Sequence, residues 1–205
     1  MDEQLKNISW LGHASFKIRD EGTGNLIYYI DPFDLKLSKY EKADIIFVSH
    51  AHFDHCSKDD VNKIIKNDTM IVAPRDCMQN LGLTSAYQRQ GVSPNENHEV
   101  KGVRFRTVPA YNVHLDRLQA HPRANNWVGF VITANGMNMY HAGDTDFIPE
   151  MTTLGIIDIA MLPMGGIHTM DVNDAIEAAN TIAAKITIPI HYKRLLGASY
   201  KEAEE

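Results

Sequence analysis

Ala43-Asp44-Ile45-Ile46-Phe47-Val48-Ser49 runs without a break into His50-Ala51-His52-Phe53-Asp54-His55-Cys56. The first half is a short, nearly continuous apolar run, which predicts a strand buried on both faces. The second half places four metal-capable side chains, His50, His52, Asp54 and His55, within six residues. If the backbone leaves the strand extended, His50, His52 and Asp54 project to one side, and a turn at Asp54-His55 brings round the fourth. Imidazole nitrogen and carboxylate oxygen are donors that a borderline divalent cation such as zinc prefers. The bland alternative is a polar loop of satisfied histidines. It would set several polar groups side by side at the end of a buried strand, which is costly.

Working outward, strand and helix signals alternate. Asn25–Asp31 is aromatic and β-branched, follows a glycine-rich turn and is stopped by Pro32, so it reads as a strand. Ser57–Lys66 reads as a helix, with Ser57 and Asp60 spaced as a capping box and Val61, Ile64 and Ile65 on one face. Thr69–Ala73 reads as a strand and Pro74 as the start of a helix. Val103–Val108 alternates as a strand does. Trp127–Thr133 and Met137–His141 flank Ala134-Asn135-Gly136, a hairpin signal. Ile157–Leu162 reads as a buried strand. Asp171 is placed to cap a helix whose expected inner face is Val172, Ala175, Ile176, Ala179, Ile182 and Ala183. Ile186–Ile190 is the last expected strand and ends at His191. Hairpins mixed with strand-helix units point to a mixed α/β sandwich, an α+β arrangement rather than a doubly wound parallel sheet.

The chain has 205 residues, 44% hydrophobic and 22% charged, which is ordinary for a globular protein and excludes a disordered or fibrous one. One domain over residues 1–205 is expected, with a core large enough to need no structural metal or disulfide. Metal chemistry is therefore read as functional. The net charge is −6 and no basic stripe is present, which argues against nucleic acid as a partner. No window approaches ~20 consecutive apolar residues, so no membrane span is expected. The opening MDEQLKNISW has no apolar core of the length an export signal needs. Two cysteines are too few for a disulfide framework, and a cytoplasmic setting is expected. A homo-oligomer is left open.

His50-Ala51-His52-Phe53-Asp54-His55 resembles the H-x-H-x-D-H signature of the metallo-β-lactamase superfamily, metal-dependent hydrolases with a four-layer αβ/βα sandwich. Trp10-Leu11-Gly12-His13-Ala14-Ser15-Phe16 and Ile30-Asp31-Pro32-Phe33 resemble the opening of one branch of it. That branch contains the ascorbate-6-phosphate lactonases and the N-acyl-phosphatidylethanolamine phospholipase D enzymes. His141-Ala142-Gly143-Asp144-Thr145-Asp146 and Pro189-Ile190-His191-Tyr192 resemble its later segments, in the same order. The resemblance implies that His50 and His52 bind a first metal. It implies that Asp54, His55 and His191 bind a second, with Asp144 bridging the two. One or two divalent ions are implied, zinc first, with manganese or iron also suited to this donor set.

The third ligand of the first metal departs from the pattern. The superfamily usually has a histidine shortly after a proline at a strand end. Here Val108-Pro109-Ala110-Tyr111-Asn112-Val113-His114 puts Asn112 in that place, and an amide oxygen is a weak zinc ligand. Either the first metal has one ligand fewer, or His114 or His121 swings in. All three remain candidates for ligation or substrate contact. His13 is expected to look into the cleft, Asp31 to hold the signature loop, and His141 to lie near the site. His168 is expected on a rim loop, His98 in solvent, and Cys56 and Cys77 in the core.

The expected chemistry is hydrolysis. Two cations share a water, lower its pKa toward neutrality and deliver hydroxide to carbon or phosphorus. Asp54 would be the catalytic carboxylate, binding metal and orienting or accepting a proton from the nucleophile. The substrate would be an ester, lactone or phosphodiester of a small soluble metabolite. Three rivals stand beside this reading. Diiron flavoproteins of the same fold carry glutamate where this chain has His52, and need a flavin domain. A metal-dependent nuclease or phosphodiesterase is the second, and its nuclease form needs a substrate-clamping domain or a basic face. A non-catalytic metal-binding scaffold would keep the ligands without turnover.

Overall fold

A strand buried on both faces needs a neighbour on each edge, and β4 (Ile45–Phe47) has them. A computed structural model of the chain describes residues 5–82 and 88–193. The chain divides into two compact units. The first ends at Val92 and takes in Val100–Gly102, and the second holds Ser93–Glu99 and Val103 onward.

The first unit is built on a six-stranded sheet in the order β1-β2-β3-β4-β5-β6. The strands are β1 (Ile8–Gly12), β2 (Ser15–Asp20), β3 (Leu26–Ile30), β4, β5 (Met70–Ala73) and β6 (Gln88–Gly91). The first three pair antiparallel and the rest parallel. Helix α1 (Lys58–Ile64) follows β4 and α2 (Arg75–Asn80) follows β5. Their apolar sides, Val61, Ile64, Cys77 and Leu81, close a core with Tyr29, Ile46, Val48 and Ile71 of the sheet. Pro74 stands at the cap and the helix proper begins at Arg75.

The capping box expected at Ser57 forms only in half. The Ser57 hydroxyl accepts from the Asp60 amide, but the Asp60 carboxylate does not return to the Ser57 backbone. It accepts instead from the amides of Asp34 (2.8 Å) and Leu35 (3.0 Å), from Ser57 Oγ (2.7 Å) and from Lys63 Nζ (2.8 Å). Asp60 thereby pins the segment after β3 to α1.

The second unit is a six-stranded sheet in the order β12-β11-β10-β9-β8-β7. Its strands are β7 (Asn97–Val100), β8 (Val103–Pro109), β9 (Val128–Ala134), β10 (Met137–His141), β11 (Ile159–Pro163) and β12 (Ile186–Ile190). β8, β9 and β10 run antiparallel, and β10, β11 and β12 parallel. Asn135 and Gly136 both have positive φ, the conformation of the tight hairpin turn that this pair favours. Gly129 answers a different need. A Cβ there would lie 2.7 Å from the carbonyl oxygens of both His141 and Ala142.

Helix α3 (Val172–Ile182) is capped by a complete box between Asp171 and Asp174. Its buried residues are Ala175, Ala178 and Ile182, packed in one core with Ala160 and Leu162 of β11. Val172 and Ile176, expected inward, are 40% and 53% exposed. Beside that buried face, Arg117 Nη2 holds the Asp174 carboxylate at 2.6 Å. Among the described residues, no helix is long and apolar enough to cross a membrane.

Burial pushes the Asp60 carboxyl up, but hydrogen bonds from Lys63, Ser57 and the Leu35 and Asp34 amides outweigh it and hold the pKa below the ordinary 3.8. Its contribution is therefore complete above that value and lost as pH falls through the folded pKa. Asp60→Asn should cost about 1–3 kcal/mol at neutral pH. It should also flatten the acid limb of a stability-versus-pH curve measured by urea unfolding. An acid limb identical to that of the wild type would refute the assignment.

Candidate metal centre

In the first unit the donors are arranged by Asp31, at the end of β3. It is fully buried and holds a left-handed φ of 44°. Its Oδ1 accepts from the Ser49 amide at 2.7 Å, and its Oδ2 from Ser49 Oγ at 2.6 Å and from His55 Nδ1 at 2.8 Å. A carboxylate only accepts, so His55 Nδ1 is the protonated nitrogen and the neutral ring carries its lone pair on Nε2. The single proton of the Ser49 hydroxyl goes to Asp31. His50 Nδ1, 2.9 Å from Ser49 Oγ, must then donate, which leaves the lone pair of His50 on Nε2 as well. One buried carboxylate thus fixes two imidazoles, one directly and one through a serine.

The signature loop does not continue extended as far as Asp54. The His52 carbonyl accepts from the amides of His55 (3.1 Å) and Cys56 (2.8 Å), so the chain turns at once after His52. His50 Nε2 and His52 Nδ1 remain together, 3.1 Å apart. Asp54 swings to the other group. Its Oδ2 lies 3.1 Å from His13 Nε2, and the donor atoms of His13, Asp54 and His55 fall within 4.8 Å of one another. His13 reaches this place from a left-handed position (φ 52°) after Gly12.

In the second unit Asp144 follows β10 through Gly143, whose φ is 65°. His141 is buried, and its Nδ1 accepts from the Gly143 amide at 3.2 Å. It shapes the turn that presents Asp144 and, among the described residues, belongs to none of the donor groups. Asp144 Oδ2 lies 3.0 Å from His191 Nε2 and 3.3 Å from His121 Nε2, one carboxylate oxygen beside two imidazole nitrogens. The three candidates for the open ligand position are separated here. His121 stands at Asp144. Asn112 lies behind it, with Oδ1 2.7 Å from His121 Nδ1. His114 is 49% exposed at its side chain and turns to Asp174, 3.6 Å away. Zinc held at about 2.0–2.2 Å sets neighbouring tetrahedral ligands about 3.3 Å apart. The spacings at His50–His52, His121–Asp144 and His191–Asp144 are of that size. These nitrogen and oxygen donors fit a divalent cation.

A hub invisible in the sequence holds the 112–121 loop. Asp146 Oδ2 accepts from the amides of Val113 (2.7 Å) and His114 (3.0 Å), and its Oδ1 from Arg117 Nε (2.6 Å). Burial opposes the charge of Arg117, but Asp174 and Asp146 outweigh it and hold the guanidinium above its ordinary pKa. Asp146 was visible only as part of a motif, and nothing in the pattern marked Arg117. His98, expected in solvent, lies on β7, 2.9 Å from Glu96 and stacked on Phe105. His168 is exposed on its loop, and its carbonyl accepts from the Asn112 side chain. Cys56 and Cys77 are buried, and burial pushes the Cys77 thiol far above its usual range.

The family described as the Beta-lactamase superfamily domain matches residues 7–191. The chain belongs to the metallo-β-lactamase superfamily. Among this superfamily's members it is 36% identical over 199 residues to a UPF0173 metal-dependent hydrolase of Thermoplasma acidophilum, covering 93% of this chain and 84% of the relative. It is 34% identical to one of Alkaliphilus metalliredigens, covering 90% and 84%. A crystal structure assigned as a metal-dependent hydrolase of Parabacteroides distasonis is similar at TM-score 0.82 and 32% identity, covering 94% of this chain and 88% of that one. One assigned as a Zn-dependent metallo-β-lactamase superfamily hydrolase of Thermotoga maritima is similar at TM-score 0.60 and 25% identity, covering 91% and 75%. The fold expected from the sequence, the αβ/βα sandwich of the metallo-β-lactamase superfamily, is therefore the fold of this chain.

Within this metallo-β-lactamase member, Asp146→Ala would leave the buried Arg117 with one carboxylate in place of two. The expected loss is about 3 kcal/mol, read as a shift in the urea midpoint. Arg117→Met, which removes the charge itself, should cost less.

Proposed function

We propose that this protein is a metal-dependent hydrolase. In this reading the donors are His50, His52, Asp54 and His55 of the first unit and His121, Asp144 and His191 of the second, and they would bind one or two divalent cations. The observation that carries it is the Asp144 carboxylate oxygen lying beside the Nε2 atoms of His121 and His191. His121 Nδ1 faces two acceptor oxygens and so bears the proton, which turns the ring's lone pair toward Asp144. Such a contact is stabilised by a proton on the ring or by a cation against both atoms, and the gathering of several such donors at one carboxylate favours the cation. Zinc suits this donor set best, with manganese and iron as alternatives.

When bound, the cations supply Lewis acidity that brings the ionisation of water toward neutral pH and polarises the scissile group. The chain's own residues do the rest. Asp31 and Ser49 hold the rings of His55 and His50 in the tautomers that offer Nε2. His13 holds Asp54 Oδ2, and Asp54 orients the nucleophile and accepts its proton. The substrate is an ester, lactone or phosphodiester of a small molecule. The net charge of −6 and the absence of a basic stripe in the sequence speak for that over a nucleic acid. The buried, unpaired Cys56 and Cys77 support a reducing, cytoplasmic setting.

The test is a screen of lactones, carboxylic esters and phosphodiesters with metal-loaded and chelator-stripped protein. Stripping should abolish turnover, and zinc or manganese should restore it. His52→Ala and Asp54→Ala should each lower turnover by more than about a hundredfold with an unchanged circular dichroism spectrum. Turnover that survives metal removal would overturn the proposal. Metal binding without turnover on any substrate class would favour the scaffold reading.

A further inference from the structure

Asn112 occupies the place where a histidine ligand is expected, yet its amide is fully committed elsewhere. We infer that Asn112 is a positioning residue. It fixes the tautomer and direction of His121 and so passes the ligand role nine residues along the chain. The inference deepens the proposed metal centre and rests on it for its purpose.

The hydrogen bonds around Asn112 close in only one sense. Asn112 is 3% exposed and His121 0%. Asn112 Nδ2 donates to the His168 carbonyl at 3.0 Å. An amide nitrogen only donates and an amide oxygen only accepts, so Oδ1 is the end that meets His121 Nδ1 at 2.7 Å. If the amide were reversed, Oδ1 would meet the His168 carbonyl oxygen, acceptor against acceptor. The His168 carbonyl also lies 3.1 Å from His121 Nδ1. Nδ1 therefore faces two acceptors and carries the hydrogen, and the lone pair of the neutral ring sits on Nε2, beside Asp144.

The backbone adds a second constraint. The Asn112 amide donates to the His121 carbonyl at 2.9 Å, which closes the neck of the 112–121 loop. Beyond the neck, Asp146 and Arg117 hold the loop at Val113, His114 and Arg117. His114 is thereby kept at Asp174, and His121 is the histidine of this loop that is delivered to Asp144. A neutral amide gives the ring an acceptor without adding charge to a site already rich in carboxylate. Ligand rings of this kind ordinarily owe their orientation to such an acceptor.

The experiment uses the full chain, stripped of metal, with Asn112→Leu, Asn112→Asp and His121→Ala. Leucine fills similar space with no acceptor. Aspartate keeps the acceptor for His121 but loses the donor to His168. Zinc affinity is measured by competition with a chromophoric chelator, and the His121 ring nitrogens are observed by NMR in the metal-free protein. Asn112→Leu should weaken one zinc site by about ten- to a hundredfold, the same site that His121→Ala abolishes. Asn112→Asp should unfold at a lower temperature yet bind zinc within about threefold of wild type. The wild-type ring should carry its hydrogen on Nδ1, and Asn112→Leu should give a mixture.

Equal losses of zinc affinity in the Leu and Asp variants would mean that Asn112 only fills and braces the loop, and would overturn the inference. So would a wild-type His121 with its hydrogen on Nε2. If the wild type binds no zinc at all, the metal centre falls, and the NMR result alone decides whether Asn112 sets the ring.

Discussion

Three donors converge on the buried carboxylate of Asp31, and most of the first unit's chemistry follows from that. Such a group is tolerated away from water only when its oxygens are matched. The match here is made by the Ser49 amide, the Ser49 hydroxyl and the His55 ring. Because a carboxylate cannot donate, every proton in the chain of contacts has its direction assigned. The consequence spreads outward through Ser49 to His50. Asp31 thus joins the end of β3 to the loop after β4 and sets ring chemistry in the same contacts.

The second unit uses a different acceptor for the same purpose. His121 is oriented by an amide oxygen and a backbone carbonyl, which carry no net charge. The contrast bears on the chemistry. A carboxylate partner makes an imidazole a stronger donor to a cation, and an amide partner does so less. The two units thus orient their histidines by different means, a charged acceptor in the first and neutral ones in the second.

Much of this was legible in the sequence, and the failures have physical causes. The buried strand β4 announced itself because it is apolar on both faces, and the Asn135-Gly136 hairpin because its turn demands positive φ. The edge strands β6 and β7 did not. Gln88-Arg89-Gln90-Gly91 has no apolar side chain to alternate, and its pairing with β5 makes it a strand. The helix at Asp171 was found, but its inner face was misjudged: Ala175, Ala178 and Ile182 face the core, and Val172 and Ile176 do not. Among the site residues, His50, His52, Asp54 and His55 stand out by density. Their division into two groups was implied by the resemblance, but the turn at His52 that produces it was not visible in the alternation of residues. Asp31 and His13 were marked by resemblance alone. Ser49 and Arg117 went unmarked, since a serine and an arginine acquire their roles only when folding brings acceptors to them.

The ion pairs of Arg117 lie where salt does not reach. The side chain is 7% exposed, with Asp146 buried on one side and the start of α3 on the other. Dissolved ions screen surface charges over about 8–10 Å but act weakly on enclosed ones. The 112–121 loop therefore behaves as masonry rather than as a door. Ordinary changes of ionic strength should therefore loosen its anchorage at Arg117 very little.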